Sequence, residues 1–307
     1  MKRVVVTGIS GHVGSVVGPQ LAAAGFEVHG LTRQSSTTKI STFVKNVPYI
    51  HQIDGRTQTL VSLFEKIQPD VVLHLAALAR REHLTTDVSP FITANIHFGT
   101  QLLEAAKVSG CRSFVTAGSY LQHAEDGRHR PFNLYAATKN AYEQVLTYFA
   151  DAFNFTTMVL TLCNVYSEWD PRPTLLSQMV ESYADGTALA LHAGEAWVDL
   201  VHVEDVAAAF VQSIRVLEHH RSEEIHLSRY SVSSGHDLRV EELLSVFENL
   251  GYSKPKITFG RPGMPSRRVR PWRGVCVPGW IPHISIQAGV ARLLAHRARQ
   301  VEVKEDL

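Results

Sequence analysis

Three glycines that follow the first apolar segment constrain the fold of this chain more than any other feature. The stretch reads Val4-Val-Val-Thr-Gly8-Ile-Ser-Gly11-His-Val-Gly14. At these positions Gly8 lets the backbone turn tightly, Gly11 leaves room for a diphosphate to approach, and Gly14 lets the next helix pack closely. The N-terminus of that helix adds free N–H groups and a partial positive charge. The spacing predicts a strand, a phosphate-binding turn and a helix at the start of a parallel sheet.

Short apolar runs alternate with amphipathic stretches over the first half of the chain. The runs that we predict as strands are residues 3–6, 27–31, 49–53, 71–75, 113–116 and 157–162. The helices predicted between them are residues 13–24, 57–67, 90–109 and 135–153. Runs such as Val71-Val-Leu73 are continuously apolar, as in strands that are covered on both faces. The predicted fold class is α/β, with a Rossmann-type doubly wound parallel sheet.

This alternation changes after Asn164. Pro171 and Pro173 fit the first turn of a new helix that ends near residue 185. Residues 198–206 indicate a return to the main sheet, residues 225–227 a further strand, residues 260–282 a loop over the pocket, and residues 285–299 a last helix. We therefore expect a dinucleotide-binding domain at 1–166, to which 188–228 partly return. Residues 167–187 and 229–300 are expected to form a smaller C-terminal substrate-binding lobe.

Charge and composition exclude several classes of partner. The 307 residues include 30 Lys and Arg against 29 Asp and Glu, a net charge of +1, so no overall field favours nucleic acid or a membrane. No apolar run is long enough to span a bilayer, and the N-terminus enters a strand without an export signal. The cysteines and histidines lack the spacing of metal ligands. We expect a cytoplasmic protein, without a metal, that binds a small-molecule substrate.

Ser119, Tyr135 and Lys139 are the candidate catalytic residues. Tyr135 and Lys139 are four residues apart, so they share a helix face on which the ammonium can lower the pKa of the phenol. Ser119 follows a predicted strand and could hold a carbonyl oxygen while the phenol protonates it. Alone, a tyrosine and a lysine at this spacing also fit an ordinary surface helix. Their order after the glycine-rich turn indicates a nicotinamide-dependent carbonyl or alcohol enzyme.

The end of the second predicted strand favours NADPH over NADH. An NAD site needs an acidic residue there for the ribose 2′-hydroxyl, and none occurs between Val28 and Lys39. Arg33, with two nearby serines, suits a 2′-phosphate, although it also fits a solvent-facing arginine. Asp54 could accept from the adenine amino group or be a plain surface aspartate. The predicted cofactor-binding residues are Gly8, Ser10, Gly11, His12, Val13, Gly14, Arg33, Ser35, Ser36, Asp54, Leu75, Ala76, Ala77, Tyr135 and Lys139.

The ordered set of a TGxxGxxG turn, an aspartate after the third strand, and Ser with YxxxK resembles the extended short-chain dehydrogenase/reductase family. The resemblance covers almost the entire chain. Within the family the details look most like nucleotide-sugar 4-ketoreductases of the CDP-abequose and CDP-paratose synthase kind. The stretches that carry this likeness are residues 31–36, 118–123, 164–172, 199–205 and 278–289.

The resemblance implies roles for individual residues. It implies that Ser119, Tyr135 and Lys139 are catalytic, that Lys139 also holds the nicotinamide ribose, and that the chain forms a homodimer through the helix before Ser119 and the helix containing Tyr135. The predicted substrate-binding residues are Gln122, His123, Asn164 and Arg172. Two departures matter. Tyr120 and Leu121 replace the acidic pair of the family's dehydratases, and Val198 replaces an arginine that grips the diphosphate. Replacements for that arginine are Arg172 or the group Arg267, Arg268 and Arg270.

These observations predict NADPH-dependent reduction of a 4-keto group on a nucleotide-activated deoxysugar. Three alternatives stay open. The first is a nucleotide-sugar epimerase that retains NAD, and the second is a ketoreductase for a non-nucleotide secondary metabolite. The third is a sensing or scaffolding protein that binds the dinucleotide without turnover.

Overall fold

The structure is a computed structural model that describes residues 1–33, 47–124, 127–191, 197–219, 227–259 and 270–305. Its strands are β1 Arg3–Thr7, β2 Glu27–Arg33, β3 Tyr49–Ile53, β4 Val71–His74, β5 Ser113–Ser119, β6 Thr156–Leu162, β7 Asn164–Tyr166, β8 Leu189–Leu191, β9 Trp197–Val198, β10 Leu200–His202, β11 Leu227–Val232, β12 Leu238–Arg239 and β13 Ile257–Phe259. Its helices are α1 Gly14–Ala23, α2 Thr57–Ile67, α3 Val88–Ile92, α4 Phe98–Val108, α5 Leu134–Phe153, α6 Leu175–Asp185, α7 Val203–His219, α8 Val240–Asn249 and α9 Ile286–Glu305. A π-helical turn, Thr93–His97, joins α3 to α4.

The described strands include a seven-stranded parallel sheet with the order β11-β6-β5-β4-β1-β2-β3. In its centre, Val5 of β1 lies opposite His29 of β2 on one side and Val72 of β4 on the other. The chain runs outward from β1 to β3 and then crosses back to β4, so the strand order reverses between β1 and β4. Ligands of such sheets bind outside the carboxyl ends of the strands at this point. The predicted α/β class with a doubly wound parallel sheet is confirmed.

Helices cover both faces of the central strands, which explains their continuous apolarity. Val4 and Val6 pack with Leu21 of α1 and Phe210 of α7 on one face. Val5 packs on the other face, in a cluster formed with α2, α4 and α5. All three valines are fully buried. Each contributes roughly 1.5–3 kcal/mol through removal of apolar surface from water.

Three predicted boundaries change in ways that bear on the site. Strand β5 extends past the predicted 113–116 to Ser119, which pairs with Leu162 of β6. The predicted helix 90–109 is interrupted by the π-helical turn. Strand β11 runs from Leu227 to Val232 rather than over 225–227, of which 225 and 226 lie outside the described residues. Ser119 is therefore held by the pairing of β5 with β6, more firmly than a loop residue would be.

A third apolar cluster lies outside the two sheet faces. Tyr166, Leu176, Phe247 and Leu293 bring together the end of β7 with α6, α8 and α9. The short pairs β7 with β10, β9 with β12 and β8 with β13 accompany it, so the prediction that residues 198–206 return to the main sheet is wrong for the strands β9 and β10. The division of the chain into a domain at 1–166 and a substrate-binding lobe stays a prediction. Within the described ranges, no helix combines the length and the apolarity that crossing a membrane requires.

Candidate active site

The glycine-rich turn is built so that side chains at two of its glycines would collide with backbone. Gly8 has φ +70°, and a Cβ there would lie 2.7 Å from the backbone N of Ala76. A Cβ on Gly14 would lie 2.1 Å from the Gly8 carbonyl oxygen. The Gly11 N–H donates to that oxygen at 2.9 Å and closes the turn. The turn and the start of α1 thus form the compact cradle that a dinucleotide diphosphate requires.

A buried histidine fastens this turn to the end of β4. The Thr7 hydroxyl lies 2.8 Å from His74 Nδ1 and accepts from the Ala76 N–H at 3.2 Å. Burial, assisted by the charge of Lys139, lowers the pKa of His74 to about 3. His74 is therefore neutral, and its Nδ1 and the Thr7 hydroxyl share one hydrogen bond. This contact holds Leu75, Ala76 and the glycine-rich turn in one arrangement at the point where the strand order reverses.

Asn95, a residue that the sequence analysis did not single out, fixes the loop after β4 from the other side. Its Oδ1 accepts from the Leu78 N–H at 2.7 Å, and its Nδ2 donates to the Leu78 carbonyl at 3.0 Å. The same Nδ2 donates to the Thr138 hydroxyl at 2.9 Å, one position before Lys139. Asn95 lies in the π-helical turn, an irregularity frequent at functional sites. It couples the cofactor side of the cleft to α5.

Ser119 and Tyr135 meet at the carboxyl edge of the sheet. Ser119 is the last residue of β5, and Tyr135 is the second residue of α5, which Asn133 caps by accepting from the Ala136 N–H at 2.9 Å. The Ser119 hydroxyl lies near enough to the Tyr135 phenol to act on its pKa. A carbonyl oxygen placed between them would meet both donors, which is the arrangement predicted from the sequence.

The pKa of Tyr135 differs from the expectation. Burial raises it to about 12, while the charge of Arg172 and the neighbouring Ser119 hydroxyl act in the lowering direction. Lys139 instead donates from its ammonium to the Ala117 carbonyl at 2.9 Å, and burial lowers its own pKa to about 8. The expectation that Lys139 lowers the phenol pKa is wrong for this state, because desolvation outweighs the opposing effects and the contributing cation is Arg172.

Two predicted substrate ligands are buried instead. Gln122 is 1% exposed and accepts from the Ser119 N–H at 2.7 Å, while its Nε2 donates to Asn140 at 2.8 Å and to Glu143 at 3.0 Å. His123 is 4% exposed, and its ring lies 4.6 Å from that of Trp272. The prediction that these side chains contact substrate is therefore corrected, since neither faces open space. Gln122 is a support for Ser119.

Asn164, one of the predicted substrate-binding residues, retains a free donor. Asn164 accepts from the Tyr120 hydroxyl at 3.1 Å through Oδ1, and its Nδ2 is buried without a partner among the described residues. An orphaned amide donor of this kind is costly unless a ligand satisfies it. Its role as a ligand stays a prediction that this geometry allows.

Arg172 joins the loop after β7 to the glycine-rich turn. Its guanidinium donates to both carboxylate oxygens of Asp170, at 2.8 and 2.6 Å, and lies 2.9 Å from His12 Nδ1. His12 Nε2 lies 2.7 Å from the Ser167 hydroxyl. No physical reason for a histidine at position 12 was visible in the sequence, because its partners are more than 150 residues away.

The remaining predicted residues lie further from this centre. Arg33 is exposed at the end of β2, and Asp54 accepts from the Arg56 N–H at 2.9 Å and the Thr59 hydroxyl at 3.0 Å. Arg270 pairs with Asp237 at 3.3 Å. The described ranges contain no His, Cys, Asp and Glu group that could hold a metal ion. Ser35, Ser36, Arg267 and Arg268 lie outside those ranges.

Comparisons with known proteins agree with this geometry. A family model described as the NAD dependent epimerase/dehydratase family matches residues 4–227. CDP-abequose synthase of Yersinia pseudotuberculosis is 26% identical over 217 residues, 68% of this chain and 72% of that protein. UDP-glucose 4-epimerase of Mycolicibacterium smegmatis is 25% identical over 309 residues, 94% of this chain and 96% of that protein.

Solved structures show the same likeness. UDP-glucose 4-epimerase of Thermus thermophilus, in complex with NAD, has a TM-score of 0.73 at 26% identity and covers 96% of this chain and 98% of its own. The predicted resemblance to the extended short-chain dehydrogenases/reductases is confirmed. Because the matched residues include the glycine-rich turn and the Ser119, Tyr135 and Lys139 set, this chain belongs to the NAD dependent epimerase/dehydratase family.

Proposed function

We propose that this protein is an oxidoreductase that uses NADPH to reduce the 4-keto group of a nucleotide-activated deoxysugar. The observation that carries the proposal is the proximity of the Ser119 hydroxyl to the Tyr135 phenol at the end of β5, with Lys139 buried one helical turn further along α5. The likeness to CDP-abequose synthase supports a nucleotide sugar as substrate.

The residues divide the chemistry among them. A nicotinamide dinucleotide, bound along the glycine-rich turn, supplies the hydride. Ser119 orients the ketone oxygen, and Tyr135 donates a proton to it as the carbon is reduced to the alcohol. With a pKa near 12 the phenol is protonated at neutral pH, so it is ready to act as the acid. Arg172 is the cation whose charge acts on the phenol, so it can stabilise the resulting phenolate until solvent reprotonates it.

Two further features support reduction rather than dehydration and NADPH rather than NADH. Tyr120 and Leu121 follow Ser119, so no carboxylate stands there to move a proton on the sugar. The Tyr120 hydroxyl instead donates a hydrogen bond to Asn164. Arg33 is exposed at the end of β2, where a guanidinium can bind a 2′-phosphate.

A homodimer through α4 and α5 forms part of the proposal. Large apolar side chains are exposed on and just before these helices, at Val88, Ile92, Val108 and Tyr148. Light scattering should give twice the mass of one chain, whereas the mass of a single chain would refute the dimer.

The experiment is NADPH oxidation with dTDP-, CDP- and GDP-linked 4-keto-6-deoxy sugars. We expect turnover with at least one of them and NMR of the product to show a new hydroxyl at C4. Tyr135→Phe should abolish turnover, whereas Tyr252→Phe, at an exposed position after α8, should not change it. Absence of turnover with every nucleotide sugar, together with turnover of a matched ketone that lacks the nucleotide, would show that the substrate is a non-nucleotide ketone.

A second candidate function is a nucleotide-sugar epimerase. It is favoured by the likeness to the UDP-glucose 4-epimerase of M. smegmatis, which extends over 94% of this chain. An epimerase must keep its dinucleotide between the two hydride transfers. Purified protein that carries NAD through dialysis would support the epimerase, and protein that binds NADPH reversibly would support the reductase.

A further inference from the structure

The loop at 167–174 and the glycine-rich turn share one hydrogen-bonded group. His12 follows Gly11 in the turn, and its ring contacts Arg172 through Nδ1 at 2.9 Å and Ser167 through Nε2 at 2.7 Å. Asp170 lies 3.5 Å from the same Nδ1. The side chains of His12 and Asp170 are 7% and 1% exposed, so this hydrogen-bonded group lies in the protein interior rather than on its surface.

The chemistry of the partners fixes the form of His12. A guanidinium only donates, so His12 Nδ1 must accept from Arg172, and its Nε2–H then donates to Ser167. The charged groups that face the ring are Asp170 and Arg172 from the loop and His202 from β10. Burial, with Arg172 and His202, lowers the pKa of His12 to about 4 against the opposing charge of Asp170. The ring is thus a neutral acceptor at the pH at which most enzymes work.

One edge of the Arg172 guanidinium is left open by this arrangement. Nε and Nη2 are used by Asp170 and His12, but Nη1 donates no hydrogen bond within the described ranges. The side chain is 47% exposed, and its charge acts on Tyr135. The contact with His12 and the charge effect on Tyr135 place the guanidinium between the glycine-rich turn and Tyr135.

We propose that Arg172 binds a phosphate oxygen at this place, and that His12 and Asp170 are positioning residues that hold its guanidinium there. The inference rests on the proposed function, because an enzyme that uses a dinucleotide and a nucleotide sugar brings two diphosphates into the cleft, one from each ligand. Both present the same chemistry to a guanidinium, a charge-assisted hydrogen bond to an anionic oxygen.

Binding measurements test the proposal without turnover. The dissociation constant of NADPH is measured on the protein alone, and that of CDP on protein saturated with NADPH. Arg172→Gln should raise one of them about tenfold and reduce its dependence on salt concentration. A change for NADPH identifies the dinucleotide as the source of the phosphate, and a change for CDP identifies the substrate.

The matched control is Arg292→Gln. Arg292 is 44% exposed and pairs with Glu204 at 3.2 Å, so it has a similar exposure and a carboxylate partner in a different part of the fold. Both dissociation constants should stay within twofold of the unmodified protein. If Arg172→Gln also leaves both within twofold, the proposal is overturned. If Arg172→Gln weakens NADPH binding in a protein that reduces no sugar, the proposed function fails and this inference stands.

The role of His12 is tested by two variants and a double variant. His12→Leu removes both hydrogen bonds and should reproduce most of the loss caused by Arg172→Gln, whereas His12→Asn keeps an acceptor near the Nδ1 position and should recover part of it. The double variant His12→Leu/Arg172→Gln should bind no more weakly than Arg172→Gln alone, because both changes act through the same contact, that between Arg172 and the phosphate oxygen. Additive losses would show that His12 acts independently of Arg172. Thermal unfolding of each variant identifies any loss that comes from misfolding.

Discussion

Gln122 provides the sharpest test of how the site is held. Its carboxamide makes three hydrogen bonds, two of them buried, to the Ser119 N–H and to the carboxylate of Glu143, and one partly buried, to Asn140; Glu143 is also paired with Arg229. Gln122→Met preserves the approximate volume but removes all three hydrogen bonds, although Asn140 keeps its contact with His129 and Glu143 its pairing with Arg229. Two neutral bonds at about 1 kcal/mol each and one bond to a charged group at about 2 kcal/mol give a loss of about 4 kcal/mol. This is a large share of the roughly 5–15 kcal/mol that stabilises a typical domain.

The assays are urea unfolding followed by steady-state NADPH oxidation. Because the Ser119 N–H is the group that Gln122 holds, kcat should fall more than KM rises. Gln212→Met serves as control, since Gln212 makes one exposed bond, to the Pro278 carbonyl, and its loss should cost less than about 0.5 kcal/mol. A stability within about 1 kcal/mol of the unmodified protein, combined with a raised KM and an unchanged kcat, would refute the reasoning and restore Gln122 as a substrate ligand.

Further changes test other parts of the site. Burial lowers the pKa of Lys139 from 10.5 to about 8. Between these two pH values the unfolded chain keeps the Lys139 proton and the folded chain loses it, so this group makes the protein more stable as pH rises from about 8. Urea titrations at several pH values should show that Lys139→Met loses this rise in stability, and an equal rise in the variant would contradict the argument. Arg33→Gln should raise the KM for NADPH about tenfold and leave that for NADH unchanged, whereas equal effects on both would exclude a 2′-phosphate ligand. Gly14→Ala should lower the free energy of unfolding by about 2–3 kcal/mol, because its Cβ would lie 2.1 Å from the Gly8 oxygen, and Gly11→Ala should cost less, because the corresponding distance is 3.1 Å; similar unfolding midpoints for the two variants would contradict the packing argument.

The sheet and the glycine-rich turn were predictable because their signals are local. Continuous apolarity at Val4, Val5 and Val6 reports burial on both faces, and each valine is fully buried. Gly8 and Gly14 were also correct for physical reasons, since a Cβ at either position would meet backbone. Neighbouring residues determine these features, so one stretch of sequence suffices to find them.

The supports of the site were not predictable in this way. Thr7 meets His74, and Asn95 meets Leu78, only because the carboxyl ends of β1 and β4 and the π-helical turn come together in the folded chain. Similarly, the spacing of Tyr135 and Lys139 gave their common helix face but not their ionisation. That depends on burial and on the Ala117 carbonyl, which takes the ammonium.

The π-helical turn Thr93–His97 makes the length of this helix as important as its composition. A π turn holds one residue more than an α turn, so everything after it is rotated by about 100° relative to an uninterrupted helix. Leu102 and Leu103 reach the core of the sheet after that rotation. Deleting a single residue from 93–97 would restore regular helical bonding and, in doing so, turn either these leucines toward water or the Asn95 carboxamide away from the loop that it fastens. Such a deletion would therefore break the connection that Asn95 makes between the loop after β4 and α5.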